Sequence, residues 1–312
     1  SGQLVNIVLF ESQGNSSTSG ELGFTHFHDG TAQPNGAFSY SAQSGSLNYL
    51  ISADVTSGYE YQESREVSFL ADNSLNDTRD FERIREQTTY RLNSNVVYQP
   101  SPTDRIAFNF LYSQSDPPAS LSRTITNYQT TNAAVTYERE ELPSTQGNWE
   151  LGGDYEHNFG NGGKYKFLFI VNEEDRATTR ESFVSSVLGG AETKDLFLDT
   201  SSKYQERIAR TSYTWPVAAE QSLELGIEGA QTIQNSALRL GLNLPGEPSA
   251  DFGGLRPIPV PNAFSTVEEI RLEGFAIHNW QINSRTSLES SLFYETSEIQ
   301  QSGDIKKKRD FD

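Results

Sequence analysis

The sequence predicts an all-β chain, an antiparallel up-and-down transmembrane β-barrel present in part, and three observations predict it. Apolar residues recur at every second position from about residue 19 to about residue 299. No run of about 18 apolar residues occurs, so no helical span is encoded. Short turns alternate with long polar connections, an asymmetry expected of membrane barrels and rare in compact soluble domains.

The strands follow from the alternation. In Leu47-Asn48-Tyr49-Leu50-Ile51-Ser52-Ala53-Asp54-Val55, the residues Leu47, Tyr49, Ile51, Ala53 and Val55 share one face. Asn48, Ser52 and Asp54 share the other, with Leu50 as the exception, because successive side chains of a strand point to opposite sides. Tyr90, Leu92, Val96 and Tyr98 then alternate with Arg91, Asn93 and Asn95 up to Pro100-Ser101-Pro102-Thr103-Asp104. Two prolines there end the ladder, since proline fixes φ and lacks a donor. Beyond them Ile106, Phe108, Phe110 and Tyr112 resume the stripe, with Tyr98 and Tyr112 closing it at opposite ends, as an aromatic girdle requires. The unit recurs around the turn Asn158-Phe159-Gly160-Asn161-Gly162-Gly163, around Pro216 to Gln221, and around Asn283-Ser284-Arg285.

Short turns fall near 43–46, 99–104, 158–163, 215–221 and 282–286; long connections, expected to lack regular structure, fall near 57–85, 115–146, 175–201 and 234–266. Eleven strands result, near 19–28, 36–43, 46–56, 86–99, 104–114, 147–158, 163–174, 202–215, 221–233, 267–282 and 286–299. Asn132 to Tyr137 also reads as a strand, but counting it would reverse every later hairpin. It is placed inside a long loop, as a strand extension above the membrane. An odd count cannot close, because bacterial single-chain barrels use an even number of strands; further strands are expected to complete the wall.

Composition bounds the function. The mean hydropathy is -0.59, which barrel strands tolerate because half their side chains face a polar interior. Phe 18 and Tyr 14 in 312 residues separate the chain from disordered acidic sequences, which are poor in aromatics. A net charge of -18 argues against nucleic acid, which demands a basic footprint. Solvated loops and a polar lumen account for it; long-range attraction of cationic ligands is the sharper reading. Cys 0 excludes disulfides and thiolate metal sites. Met 0, a start in Ser1 without a basic leader, and an end in Lys306-Lys307-Lys308-Arg309-Asp310-Phe311-Asp312 without turn chemistry read as a fragment cut at both ends.

Sites of chemistry are scarce. His26 and His28 share a strand face, but two ligands without a third make a poor metal site; His157 and His278 are single. Glu173-Glu174-Asp175 and Glu138-Arg139-Glu140-Glu141 offer oxygens to calcium, yet match no defined loop. With Asp+Glu 42, a glycosidase-like pair would arise by chance. Gly160-Asn161-Gly162-Gly163 lacks the Gly-Lys-Ser/Thr ending of a phosphate loop and reads as a hairpin turn. No Gly-x-Ser-x-Gly elbow occurs. Leu255-Arg256-Pro257-Ile258-Pro259-Val260-Pro261 reads as a stiff loop, open to a ligand contact but more simply packed. No catalytic residue, metal site or cofactor is expected, so the chain reads as a non-enzyme, and no ligand-binding residue is assigned.

Three stretches resemble the TonB-dependent outer-membrane receptors. Gly2-Gln3-Leu4-Val5-Asn6-Ile7-Val8-Leu9 resembles the closing strand of that family's plug, followed by a polar linker from Glu11 to Ser19. Phe275-Ala276-Ile277-His278-Asn279-Trp280-Gln281-Ile282 resembles a recurrent mid-barrel strand, and Leu288-Glu289-Ser290-Ser291-Leu292-Phe293-Tyr294-Glu295 the strand after it. The resemblance implies that residues 1–14 end the plug and its linker and that residues 15–312 form the N-terminal half of the barrel. About 11 strands are then half of the about 22 in such transporters. It further implies uptake of a scarce, large ligand across the outer membrane, most often a ferric siderophore, with the TonB complex and outer-membrane lipid as partners. The alternatives are a soluble or surface-attached all-β binding protein and a non-TonB outer-membrane porin.

Overall fold

The computed structural model describes residues 16–27, 30–130 and 132–311. These form one antiparallel sheet: β1 (Ser16–His26), β2 (Ala32–Ser44), β3 (Leu47–Phe69), β4 (Leu75–Tyr98), β5 (Asp104–Asp116), β6 (Ala119–Asn127), β7 (Ala134–Leu142), β8 (Ser144–Asn158), β9 (Lys164–Ser185), β10 (Thr193–Ala218), β11 (Gln221–Leu242), β12 (Arg256–Ile258), β13 (Phe264–Asn283), β14 (Thr286–Gly303) and β15 (Lys307–Phe311). A three-residue 3-10 turn, Ala250–Phe252, precedes β12. Strand order follows sequence order along β1-β2-β3-β4-β5-β8-β9-β10-β11-β13-β14-β15. All eleven strands read from the alternation are present. A twelfth, β15, corrects the expectation that the charged C-terminal stretch lacks turn chemistry. Gly303 (φ 113) reverses the chain, and Lys308 on β15 meets Glu298 of β14 at 2.8 Å.

The expected long loops are a second correction. The region read as the loop 57–85 is a continuous ladder in which Ser57 opposes Thr88 and Phe69 opposes Leu75. The ladder also continues through most of 175–201, where Thr193 opposes Val184. The region 115–146 is likewise a long hairpin. Asp116 opposes Thr88 and Ala119 opposes Arg85, so β5 and β6 run along β4 in one unbroken register. Ser144 opposes Thr178 and Glu141 opposes Glu181, so β7 and β8 do the same along β9. The strand-like stretch 132–137 is therefore the upward extension of β8. Only the connection between β11 and β13 keeps a substantial irregular part, and it too is ordered, with β12 paired to β11.

The registers also fix the tilt of the strands. A single row runs Leu47, Tyr98, Ile106, Tyr155, Phe167, Thr211, Ile227, Gly274, Tyr294 across the sheet. Leu47 is the first residue of β3, whereas Tyr294 lies well inside β14, which begins at Thr286. The short turns thus step by roughly one residue per strand. With about 3.3 Å per residue and about 4.8 Å between strands, that step corresponds to a tilt of about 35°, the range that barrel walls require. Among the described residues β1 and β14 are not paired to each other, and the wall is open.

Among the described residues no core lies beneath this wall. Leu255 and Phe275 are the only buried hydrophobic side chains among the described residues, while Leu22, Phe24, Phe108, Leu225, Leu292 and many more stand exposed. A single layer of sheet has two open faces, and chemistry must say what each one meets.

Candidate functional site: a wall with two unlike faces

Partners across an antiparallel ladder project to the same side, so the registers sort every side chain. One face carries Phe38, Ile51, Leu92, Phe108, Leu151 and Phe167, continuing to Leu225, Ala276 and Leu292. On each strand the apolar stretch lies next to the short turn and ends after about nine residues, as from Leu47 to Val55 on β3. That length matches a strand crossing hydrocarbon, which needs about 9–11 tilted residues. Tyr98, Tyr155, Tyr165, Tyr213 and Trp215 rim the lower border; Tyr213 stacks on Trp215 at 5.6 Å, and Phe159 meets Tyr213 edge-on at 5.6 Å. Tyr90, Tyr112 and Trp149 stand at the upper border, Tyr112 directly opposite Trp149. Aromatics are packed into this face through glycine: a Cβ on Gly153 would lie 2.7 Å from the Phe169 ring and 2.9 Å from the Phe108 ring.

The opposite face is polar at the same height and is tied across neighbouring strands. Arg105 reaches Asp154 at 2.5 Å, Arg91 reaches Asp54 at 3.4 Å, and Asn172 donates to Glu206 at 3.1 Å. Glu228 on β11 accepts from Arg271 at 2.8 Å and faces Arg210 at 3.7 Å, while Arg271 also faces Glu295 at 3.7 Å. The Arg210 guanidinium lies 4.0 Å above the ring of Phe275. That ring occupies the space over Gly226, where a Cβ would approach it to 2.2 Å. Each cross-strand pair contributes only about 0.2–1 kcal/mol. Their significance is positional: one face of the wall holds charge at the height where the other is mainly apolar and aromatic, interrupted by hydroxyls such as Ser94, Thr211 and Ser290.

At the short-turn end Asp104 organises the loop. Its Oδ1 accepts from the Tyr155 hydroxyl at 2.7 Å and sits 2.7 Å from His157 Nδ1. Its Oδ2 accepts from Ser101 Oγ at 2.6 Å and Thr103 Oγ1 at 3.0 Å. The Ser101 hydroxyl first, then His157, Tyr155 and Thr103, hold this carboxyl well below the usual carboxylate range.

The structure disperses the residues singled out in the sequence. His26 ends β1, and His28 lies outside the described residues, as does the plug-like stretch Leu4 to Leu9. His157 joins Asp104, and His278 pairs with Gln221 at 3.0 Å. The carboxylates take cations: Glu173 with Lys203 at 2.8 Å, Glu174 with Arg176 at 2.5 Å, Glu138 with Arg123 at 2.6 Å and Glu140 with Arg180 at 2.6 Å. Among the described residues no three His, Asp or Glu side chains gather as a metal group. Gly160 to Gly163 is a turn closed by Phe159 N donating to Gly163 O at 2.7 Å. Leu255 is buried, and Arg256–Ile258 pairs with β11, so the proline-rich loop is packed against the wall. Sequence reasoning missed the Arg210–Glu228–Arg271 cluster, because its members are widely separated in the chain and only register brings them together.

No protein-family model matches the chain, and no curated protein is significantly similar to it. Among solved structures, the crystal structure of the Pseudomonas putida toluene transporter TodX is similar at 8% identity, over 93% of this chain and 87% of that one, with a TM-score of 0.29. A score that low does not establish a shared fold, and the architecture described above rests on the strand registers.

Proposed function

We propose that this chain forms part of the wall of a bacterial outer-membrane β-barrel transporter, with its short turns toward the periplasm and its long hairpins outside the cell. The observation that carries this reading is the two-faced single layer. An apolar band about one bilayer high, bordered by aromatics, backs a face of ion pairs at the same level. Hydrocarbon on one side and water on the other satisfy both faces. A soluble sandwich would need a second sheet over the apolar band, and the described residues supply none.

Within that class we assign the chain to the TonB-dependent receptors, taking up a scarce ligand, a ferric siderophore before other classes. This finer reading is supported by the sequence resemblance, whose two mid-barrel stretches fall on the adjacent strands β13 and β14. Its partners are then the TonB complex, through a segment upstream of the barrel, and outer-membrane lipid. Two measurements test the two levels separately. The full-length protein should fractionate with outer membranes and require detergent; recovery as a soluble monomer rejects the barrel. Uptake of labelled ferric siderophore should vanish when TonB is removed. Uptake that persists identifies a passive channel.

A further inference from the structure

The hairpin built from β5–β6 and β7–β8 differs from its neighbours. The strands β3, β4, β9, β10 and β11 run 22 to 26 residues without interruption. This hairpin is interrupted on both strands at one height, by Pro117 and Pro118 on one side and Pro143 on the other. The continuous register sets Pro118 opposite Pro143, since Ala119 opposes Leu142 and Ser115 opposes Gln146. Glu86 N donates to the Pro118 carbonyl at 3.1 Å and Thr179 N to the Pro143 carbonyl at 3.0 Å. Neither proline returns a hydrogen bond, because neither has an N–H. Pro117, pointing the other way along the alternation, removes a third donor, the one facing β8. A line of missing ladder bonds therefore crosses β4, β6, β7 and β9 at a single level, well above the apolar band.

Above that line the wall is joined unequally. β6 opposes β4 over nine residues, from Ala119 to Asn127. β7 opposes β9 over only Tyr137 to Glu141. This shorter join is clasped by side chains on both faces. On one, Glu140, 3% exposed, receives Arg180 Nε at 2.8 Å and Nη2 at 2.6 Å. Arg123 stands 3.9 Å from the same carboxylate. On the other, Arg139 forks onto Glu192 at 3.0 and 2.7 Å while its guanidinium covers the Phe183 ring at 4.4 Å. A bidentate arginine–carboxylate pair is strong and geometrically exacting, so it fixes the seam in this register.

We propose that the β7–β9 seam is a latch: above Pro118 and Pro143 the wall opens between β7 and β9 as a hinged flap carried by β4 and β6, and Glu140–Arg180 with Arg139–Glu192 holds it shut. The opening is a slot in the distal wall, independent of which ligand the barrel carries. Hydrogen exchange of the full chain in detergent tests it, since amides report local opening segment by segment. Peptides from 134–142 should exchange at least tenfold faster than those from 144–158, although both belong to one strand line, and 119–127 should stay slow. Glu140→Gln should speed 134–142 at least tenfold more and leave 144–158 unchanged; Arg180→Gln provides the same readout should Glu140→Gln fail to fold. A disulfide between Glu138→Cys and Val184→Cys, which are opposed across the seam, should abolish the fast exchange. Equal rates for 134–142 and 144–158 in the unmodified protein, or a variant that speeds both alike, overturns the latch.

Discussion

Phe275 and Asp104 show what single residues do in a wall one layer thick. With no core to bury side chains, packing is local, and a buried ring needs a glycine beside it and a cation above it. Phe275 obtains both, from Gly226 and Arg210. Its face was not legible in the sequence, because Phe275-Ala276-Ile277-His278 alternates between apolar residues on both sides; only the register with Gly226 turns the ring toward the ion pairs. Asp104 was legible merely as a turn residue, yet it draws two strands and a turn onto one carboxylate. Those hydrogen bonds favour its ionised form, so its folded pKa lies below the unfolded value of about 3.9. The stabilisation is therefore complete above that value and is lost as pH falls through the lower, folded one. Urea titrations in detergent should show the native protein losing stability below about pH 4, and Asp104→Asn should lose that component of the pH dependence. An unchanged profile would remove Asp104 from its organising role.

At the scale of the strand, alternation was readable wherever one face is apolar and unreadable above that height. On β3 the stripe Leu47 to Val55 gives way to Glu60, Glu63, Arg65 and Glu66, which fall on both faces. The ladder continues there because backbone bonding does not require an apolar face, but the hydropathy signal stops, and a long hairpin then reads as a loop. The same logic separates two substitutions. Phe108→Arg places a charge on the face proposed to meet lipid, where it would cost about 2–4 kcal/mol near the midplane. Asn95→Arg, on the ion-paired face, places the same charge in water. Folding into detergent or vesicles, followed by heat-shifted mobility on gels, should show assembly impaired by the first and spared by the second. Equal tolerance of both would mean that the faces are exchanged.

The whole molecule is an open wall whose strands advance by about one residue per neighbour, and that advance was invisible in the sequence because it resides in pairing rather than in composition. The architecture itself was legible, since short turns and long connections alternate whether or not the long ones are ladders. A wall whose two edges are unpaired among the described residues invites further strands.

The inequality between the two ends of that wall carries a directional consequence. One end is trimmed to a few turn residues. The other ends in hairpins studded with arginine and glutamate, each of which would meet a penalty of several kcal/mol in the bilayer interior. When the protein is offered to the outside of empty vesicles, the trimmed end is the one able to pass through first. The inserted population should then be of a single polarity, with every charged crown left on the side of addition, where a membrane-impermeant thiol reagent should label Ala71→Cys in the exposed turn between β3 and β4 of this cysteine-free chain.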